Sequence, residues 1–259
     1  MTALGFGLAL LIGLALGLLG GGGSILTIPV LHHIMGYSVR QAVPMSLVVV
    51  GITSAVGAAA HWRERNVQFR TAFGFGVPAI VGAVLGADLG PRVDDDIRLT
   101  VFAVVMLAAA MVMLRGLTVR PLDRPTPPDA PAPPPERPTI PFVTLIGGFM
   151  GLLTGFVGVG GGFLYVPVLT GLAGLPIKQA VGTSLVLILL SCAAGMARYL
   201  GNPALGGLDW APIGLFTGIA LVGAALGSRL VRYVSQSHLR RGFAAFLLVL
   251  GAVVLFVRR

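Results

Sequence analysis

Two glycine clusters in apolar sequence supply the backbone groups best suited to bind a small anion. Residues 20–23 precede the run that contains Pro29, and residues 158–162 precede the matching run that contains Pro167. Because glycine disfavours helix, each cluster predicts a helix break with a new helix start just after it. Helix N-termini present free N–H groups and a positive dipole end, which attract anions. The candidate anion contacts at these breaks are Gly22, Gly23, Ser24, Gly160, Gly161 and Gly162.

Close helix crossing is the alternative explanation for glycine clusters. Here both clusters are followed by a short apolar run and then Pro-Val-Leu, and from Pro29 to Pro167 the shift is 138 residues. Discontinuous helices at matching places in two halves point to the substrate site of a transporter. The repeated pattern therefore favours the anion-site interpretation, although packing alone would explain either cluster by itself.

Neutral polar side chains form a second repeated set. Gln41 and Ser46 open one apolar helix, and Gln179, Thr183 and Ser184 open its counterpart. Amide and hydroxyl groups donate hydrogen bonds without burying a charge, which suits an anion that must bind and then leave. We therefore add these five residues to the candidate substrate site. Hydrogen bonding between helices would explain the same residues nearly as well.

Other kinds of chemistry have little support in the sequence. His32 and His33 follow the first break and could couple a proton, but the second copy has Thr170 and Gly171 there. No Cys/His spacing suggests zinc and no phosphate-binding loop is present, so we expect no cofactor and no catalysis. A remote alternative is an intramembrane serine hydrolase built on Ser24 or Ser184.

The elements that position these residues are apolar helices. Hydrophobic residues make up 56% of the chain and charged residues only 10%, and several apolar stretches reach the roughly 20 residues needed to span a bilayer. The net charge of +9 resides in loops, where arginine orients membrane proteins, rather than in a nucleic-acid-binding surface. The composition predicts an all-α polytopic membrane protein.

The chain divides into two copies of one unit. Residues 1–118 form the first transmembrane repeat, residues 119–140 a proline-rich linker, and residues 141–259 the second repeat. Towards the end of each copy the shift becomes 141 residues, from Gly82 to Gly223, which predicts a three-residue insertion within 201–209.

Loop charges predict how the two copies face each other. With an odd number of crossings in each copy, twelve of the 18 Lys and Arg residues fall on one side of the membrane. With an even number of crossings, the same residues divide ten to eight between the two sides, which is too even to indicate an orientation of the chain in the membrane. We therefore predict inverted repeats, with helices broken at the glycine clusters and the linker in the cytoplasm.

These motifs resemble the sulfite exporter TauE/SafE family of membrane permeases. The resemblance rests on Gly-x-Gly-Gly-Gly with Pro-Val-Leu at 158–169, on Gln-Ala-Val-Gly-Thr-Ser at 179–184, and on their first-half counterparts. It implies secondary transport, without ATP, of small sulfur-containing anions such as sulfite, thiosulfate or organosulfonates. The first half departs from the pattern, because Pro44 and Met45 replace Gly182 and Thr183.

The sequence thus predicts an inner-membrane permease that works by alternating access, with proton coupling and a homodimer as options. An anion channel is the nearest alternative. At the level of side chains, Gly161→Leu and Gln179→Ala are expected to impair anion binding far more than Gly86→Ala, which should only affect packing.

Overall fold

The computed structural model describes residues 2–19, 26–28, 30–89, 92–114, 140–157, 162–171, 173–199, 210–231 and 233–256. All regular secondary structure in these ranges is helical, as the apolar segments predict. The all-α membrane class is therefore confirmed.

Helix boundaries follow the predicted apolar segments closely. The first half forms α1 (Thr2–Leu19), a π-helix (Val30–Ile34), α2 (Val39–Arg63), α3 (Phe69–Leu89) and α4 (Asp95–Leu114). The second half forms α5 (Ile140–Val157), α6 (Gly162–Gly171), α7 (Ile177–Tyr199), α8 (Trp210–Val231) and α9 (Gln236–Phe256). Residues 119–139 of the predicted linker and the predicted insertion within 201–209 lie outside the described residues, and Ile140, the last residue of the predicted linker, begins α5.

Within the described ranges, four helices are long and apolar enough to cross a membrane. These stretches are Gln41–Arg63, Phe69–Gly86, Ile177–Ala197 and Trp210–Val231, which belong to α2, α3, α7 and α8. Two shorter apolar helices accompany them, Leu4–Leu19 and Thr144–Phe156. The chain is a multi-pass membrane protein.

The outer face of α3 shows how the bundle meets lipid. Phe73, Val77, Val81 and Leu85 recur every four residues, which places them on one side of the helix, and all four are exposed. Val222 and Leu226 of α8, which match Val81 and Leu85 in the repeat, are exposed in the same way. Such continuous apolar stripes suit contact with acyl chains.

Glycines bring α1 and α8 into backbone contact. A Cβ added to Gly13 would overlap the carbonyl oxygen of Ala220, and one added to Gly17 would overlap that of Ala224. Because the residue numbers rise together along both helices, α1 and α8 run parallel. Small residues allow this approach, which is how membrane helices gain packing energy without a hydrophobic effect.

The same contact recurs between α3 and α5. A Cβ on Gly151 would overlap the carbonyl oxygen of Ala79, and one on Gly82 would overlap that of Gly148. The first helix of each half therefore packs along a helix of the other half: α1 packs on α8, and α5 packs on α3. These contacts interlock the two halves.

At the centre, α2 packs against its sequence counterpart α7. Gly51 lies beside Cys192, Gly57 beside Leu185, and Gly195 beside Leu47. The position on α7 falls as the position on α2 rises, so these two equivalent helices run antiparallel. Both are lined with buried apolar residues, including Val49, Val50, Leu185 and Ile188.

Candidate functional site

The loop between α2 and α3 closes over the N-terminal end of α7. The backbone N–H of Gln68 donates a hydrogen bond to Thr183 Oγ1 at 3.0 Å, and Gln68 Nε2 donates to Gln179 Oε1 at 2.9 Å. Gly182 lies under this loop, where an added Cβ would overlap the carbonyl oxygen of Asn66. The structure thus brings together Gln179 and Thr183, two of the predicted site residues, around a third polar residue that sequence reasoning did not select.

A tight turn at the end of α2 positions Gln68. Arg65 has a φ of 59°, in the left-handed region. Its N–H donates to the Trp62 carbonyl at 2.9 Å, while the Asn66 N–H donates to the His61 carbonyl at 2.8 Å. These two bonds form a Schellman motif, which stops a helix and turns the chain sharply. The loop is also held at its other end, because the backbone carbonyl of Gln68 accepts a hydrogen bond from the N–H of Ala72 at the start of α3. The loop is therefore short and fixed at both ends.

Replacing Thr183 by valine should destabilise this contact between the two halves. Valine keeps the shape of threonine but removes the acceptor of the Gln68 N–H, and loss of this part-buried hydrogen bond should cost about 1 kcal/mol. We expect a lower unfolding temperature for the protein in detergent. Intrinsic fluorescence, or a dye that does not react with thiols, measures this temperature.

Two matched variants control for this measurement. Thr183→Ser keeps the hydroxyl acceptor and should restore most of the stability. Thr217→Val removes a buried hydroxyl that donates only to the Ile213 carbonyl of its own helix, at 2.6 Å, so it should cost much less. Equal losses for Thr183→Val and Thr217→Val would show that the Gln68 contact contributes nothing particular.

The equivalent residue in the first half has a different local role. Gln41 Oε1 accepts hydrogen bonds from the Ser38 N–H at 3.3 Å and the Ser38 hydroxyl at 3.1 Å, so Gln41 caps its own helix. The repeat is kept more strictly at the serines. Ser46 donates to the Val43 carbonyl at 2.7 Å, and Ser184 donates to the Val181 carbonyl at 2.8 Å.

Gln41 and Gln179 lie at opposite ends of the central helix pair. Gln41 stands at the beginning of α2, whereas Gln179 contacts Gln68, which lies beyond the end of α2. From Gln41 to Arg63, a stretch of 23 residues, α2 rises about 33 Å. One small anion therefore does not contact both glutamines in this conformation. The predicted break residues Gly22, Gly23, Ser24, Gly160 and Gly161 lie outside the described residues, and Gly162 begins α6.

Buried polar side chains also occur along the central helix pair, between these two ends. We call this set the polar stripe, and its members are Ser46, Thr53, Ser54 and His61 of α2 with Thr183, Ser184 and Ser191 of α7. Members seven residues apart, such as Ser46 and Thr53 or Ser184 and Ser191, are about two turns apart and lie on the same face of their helix. The signal was present in the sequence, because Thr53 and Ser54 match Ser191 and Cys192 under the same 138-residue shift.

The middle of the polar stripe offers hydrogen-bonding capacity without fixed charge. Ser54 Oγ is buried and has no hydrogen-bond partner among the described residues. Tyr165 of α6 reaches in from the side, with its hydroxyl 3.2 Å from Ser191 Oγ. Thr53 Oγ1 donates to the Val49 carbonyl at 2.7 Å. Since that carbonyl also accepts a backbone N–H, the hydroxyl can turn away and donate elsewhere.

Interlocked apolar helices with buried neutral polar side chains define a multi-pass helical membrane protein. The chain belongs to the sulfite exporter TauE/SafE family, whose model matches residues 5–254. The family membership that the sequence motifs suggested is thus confirmed over nearly the whole chain.

Curated relatives carry the same broad description. A probable membrane transporter protein of Xylella fastidiosa strain 9a5c is 31% identical over 249 residues, which cover 95% of this chain and 91% of the relative. One from Methanocaldococcus jannaschii is 28% identical over 265 residues, with 96% and 94% covered. A third, from Bacillus subtilis, is 31% identical over 106 residues, or 40% of this chain and 43% of the relative. No solved structure matches this chain significantly.

Proposed function

We propose that the protein is a secondary transporter that moves small sulfur-containing anions, of the sulfite, thiosulfate or organosulfonate type, across the cell inner membrane. The observation that carries this proposal is the polar stripe, because it runs along the helix pair where the two halves of the chain meet. The family description supports a sulfur oxyanion as the substrate.

The inverted arrangement of residues 1–118 and 141–259 is part of the proposal. The equivalent helices α2 and α7 pack antiparallel, with Gly51 beside Cys192 and Gly57 beside Leu185. A twofold axis that relates two adjacent antiparallel helices lies perpendicular to them, and thus in the membrane plane. This is the symmetry of an inverted repeat, which suits alternating access.

Basic residues support a cytoplasmic position for the linker. α2 ends where α7 begins, since an added Cβ on Gly182 would lie 2.9 Å from His61 Cβ. α8 ends near the same level, because Ser228 contacts Gly17 and Gly17 lies beside His61. The basic residues that share this end are Arg63, Arg65, Lys178 and Arg229. An excess of Lys and Arg marks the cytoplasmic side.

The polar stripe fits an anion that passes without being trapped. Hydroxyl and amide donors solvate sulfonate oxygens, while a fixed positive charge in a dry site would hold them too strongly to release. We place the entry sites at the two ends, with Gln179 and Thr183 on the cytoplasmic side and Gln41 and Ser46 on the other. Ser54 would then contact the anion at the centre, where its hydroxyl has no partner among the described residues.

Purified protein in liposomes should show saturable uptake of at least one of four labelled anions: sulfite, thiosulfate, sulfate and methanesulfonate. Unlabelled anion on the opposite side should accelerate the uptake, because a carrier that alternates exchanges substrate faster than it returns empty. Flux that rises linearly with concentration and shows no counter-exchange would identify a channel instead. Failure to transport any of the four would remove the substrate assignment.

A further inference from the structure

His61 is an unusual group for the interior of a membrane helix. Its side chain is fully buried, and neither ring nitrogen makes a hydrogen bond of good geometry to a described residue, although the backbone of Gly17 lies close beside the ring. Buried polar atoms are nearly always paired, because an unpaired one loses its hydration without compensation. A buried histidine with so little hydrogen bonding is a candidate functional group.

Three elements surround the ring. Gly182 of α7 lies next to its Cβ, the backbone of Gly17 of α1 lies beside the ring, and Asn66 of the following loop covers Gly182. The charged groups that face it are Glu64 of the same turn and Lys178 of α7. α1 carries no titratable side chain, and Arg229 of α8 is exposed.

The position of His61 connects the two parts of the proposed substrate route. His61 is the last member of the polar stripe on α2. It lies next to Gly182, the residue that precedes Thr183 on α7. Gly17, its neighbour on α1, stands three residues before the glycine cluster at 20–23. The neutral donors of α7 therefore adjoin this ring in space.

We propose that His61 binds the proton that crosses the membrane together with the anion, an inference that rests on the proposed transport function. A neutral imidazole suits the empty, dry site, and an arriving anion supplies the counter-charge that makes protonation favourable. The proton comes from water at one face and returns to water at the other. Anion and proton then cross as a pair with less net charge than the anion alone.

Thermodynamic linkage makes the pairing measurable. If the anion strengthens proton binding at His61, protonation of His61 must strengthen anion binding by the same factor. His32, the histidine that the sequence suggested for this role, already has its Nδ1 within 2.7 Å of the Tyr37 carbonyl oxygen. Its ring is thus engaged locally at the π-helix rather than at the polar stripe.

The pH dependence of methanesulfonate and sulfate uptake tests the assignment, because neither anion changes charge near neutral pH, unlike sulfite. We expect wild-type uptake at a subsaturating concentration to rise about tenfold between pH 8 and pH 6, because a neutral histidine binds a proton more readily as the pH falls. His61→Gln should make the profile nearly flat. His238→Gln, which changes an exposed histidine beside Ser235, should keep the wild-type profile.

The possible results separate the two proposals. If His61→Gln transports the anions with the wild-type pH profile, the role of His61 alone is overturned. A flat profile in His32→Gln instead would have the same consequence. Absence of uptake of every probe anion in the wild type would overturn the transport function, and the role of His61 would fall with it.

Wild-type protein provides a second measurement that needs no variant. Methanesulfonate or sulfate added to weakly buffered, detergent-solubilised protein near pH 7 should cause proton uptake, up to about one proton for each anion bound. A pH-indicator dye reports the uptake. Anion binding without any proton uptake between about pH 6 and pH 8 would contradict the proposal even if His61→Gln and His61→Asn both fail to fold.

Discussion

A cysteine introduced at Gly51 should form a disulfide with Cys192 under mild oxidation. An added Cβ at Gly51 lies 3.3 Å from the Cβ of Cys192, close to the range of about 3.5–4.5 Å in natural disulfides. Cys192 is the single cysteine of the chain, so no other internal pair can form. With a protease site placed in the linker, the cut halves should migrate together on a non-reducing gel and separate after reduction.

Gly57→Cys is the matched control for this cross-link. It lies on the same helix, but it faces Leu185 and stands six residues, or about 9 Å, further along α2. We expect its cut halves to separate without reductant, as should those of Gly51→Cys combined with Cys192→Ser. Equal cross-linking at both positions, or none at Gly51, would mean that α2 and α7 do not cross as described, and the inverted arrangement would lose its main support.

The sequence predicts the helices of this fold much better than their partners. Apolar length predicts the long helices, among them α5 at Ile140–Val157. The four-residue spacing of Gly82 and Gly86 indicates a close helix contact, but it does not name the other helix. The partner of α3 is α5, and that choice depends on three-dimensional complementarity between backbones.

The candidate site shows the same limit. Gln179 and Thr183 are recognisable as polar groups in an apolar helix, yet their shared partner Gln68 belongs to a loop and has no pattern of its own. His61 precedes Trp62 and Arg63, so in the sequence it resembles a membrane-boundary residue. Only the packing of Gly182 and Gly17 against it reveals that it is buried.

Replacing Gly223 by leucine should have the largest effect on stability of any single change considered. The added Cβ would overlap the Leu10 carbonyl oxygen and approach the Leu14 nitrogen of α1. Both are backbone atoms, so the clash is relieved only if α1 and α8 separate along their shared length. Overpacking in cores costs about 1–3 kcal/mol when side chains can yield, and we expect more than about 3 kcal/mol here. The measurement is the yield of monodisperse protein in detergent and its unfolding temperature.

Gly218→Leu is a control on the same helix, because Gly218 is exposed and an added Cβ meets nothing within 4 Å. It should stay within about 0.5 kcal/mol of the wild type. Gly86→Ala, which the sequence assigns to packing rather than to anion binding, is not a neutral comparison for stability, since its Cβ would overlap the Leu152 carbonyl oxygen. Similar stability of Gly223→Leu and Gly218→Leu would show that α1 and α8 are not in backbone contact, and the interlocking of the two halves would have to be abandoned.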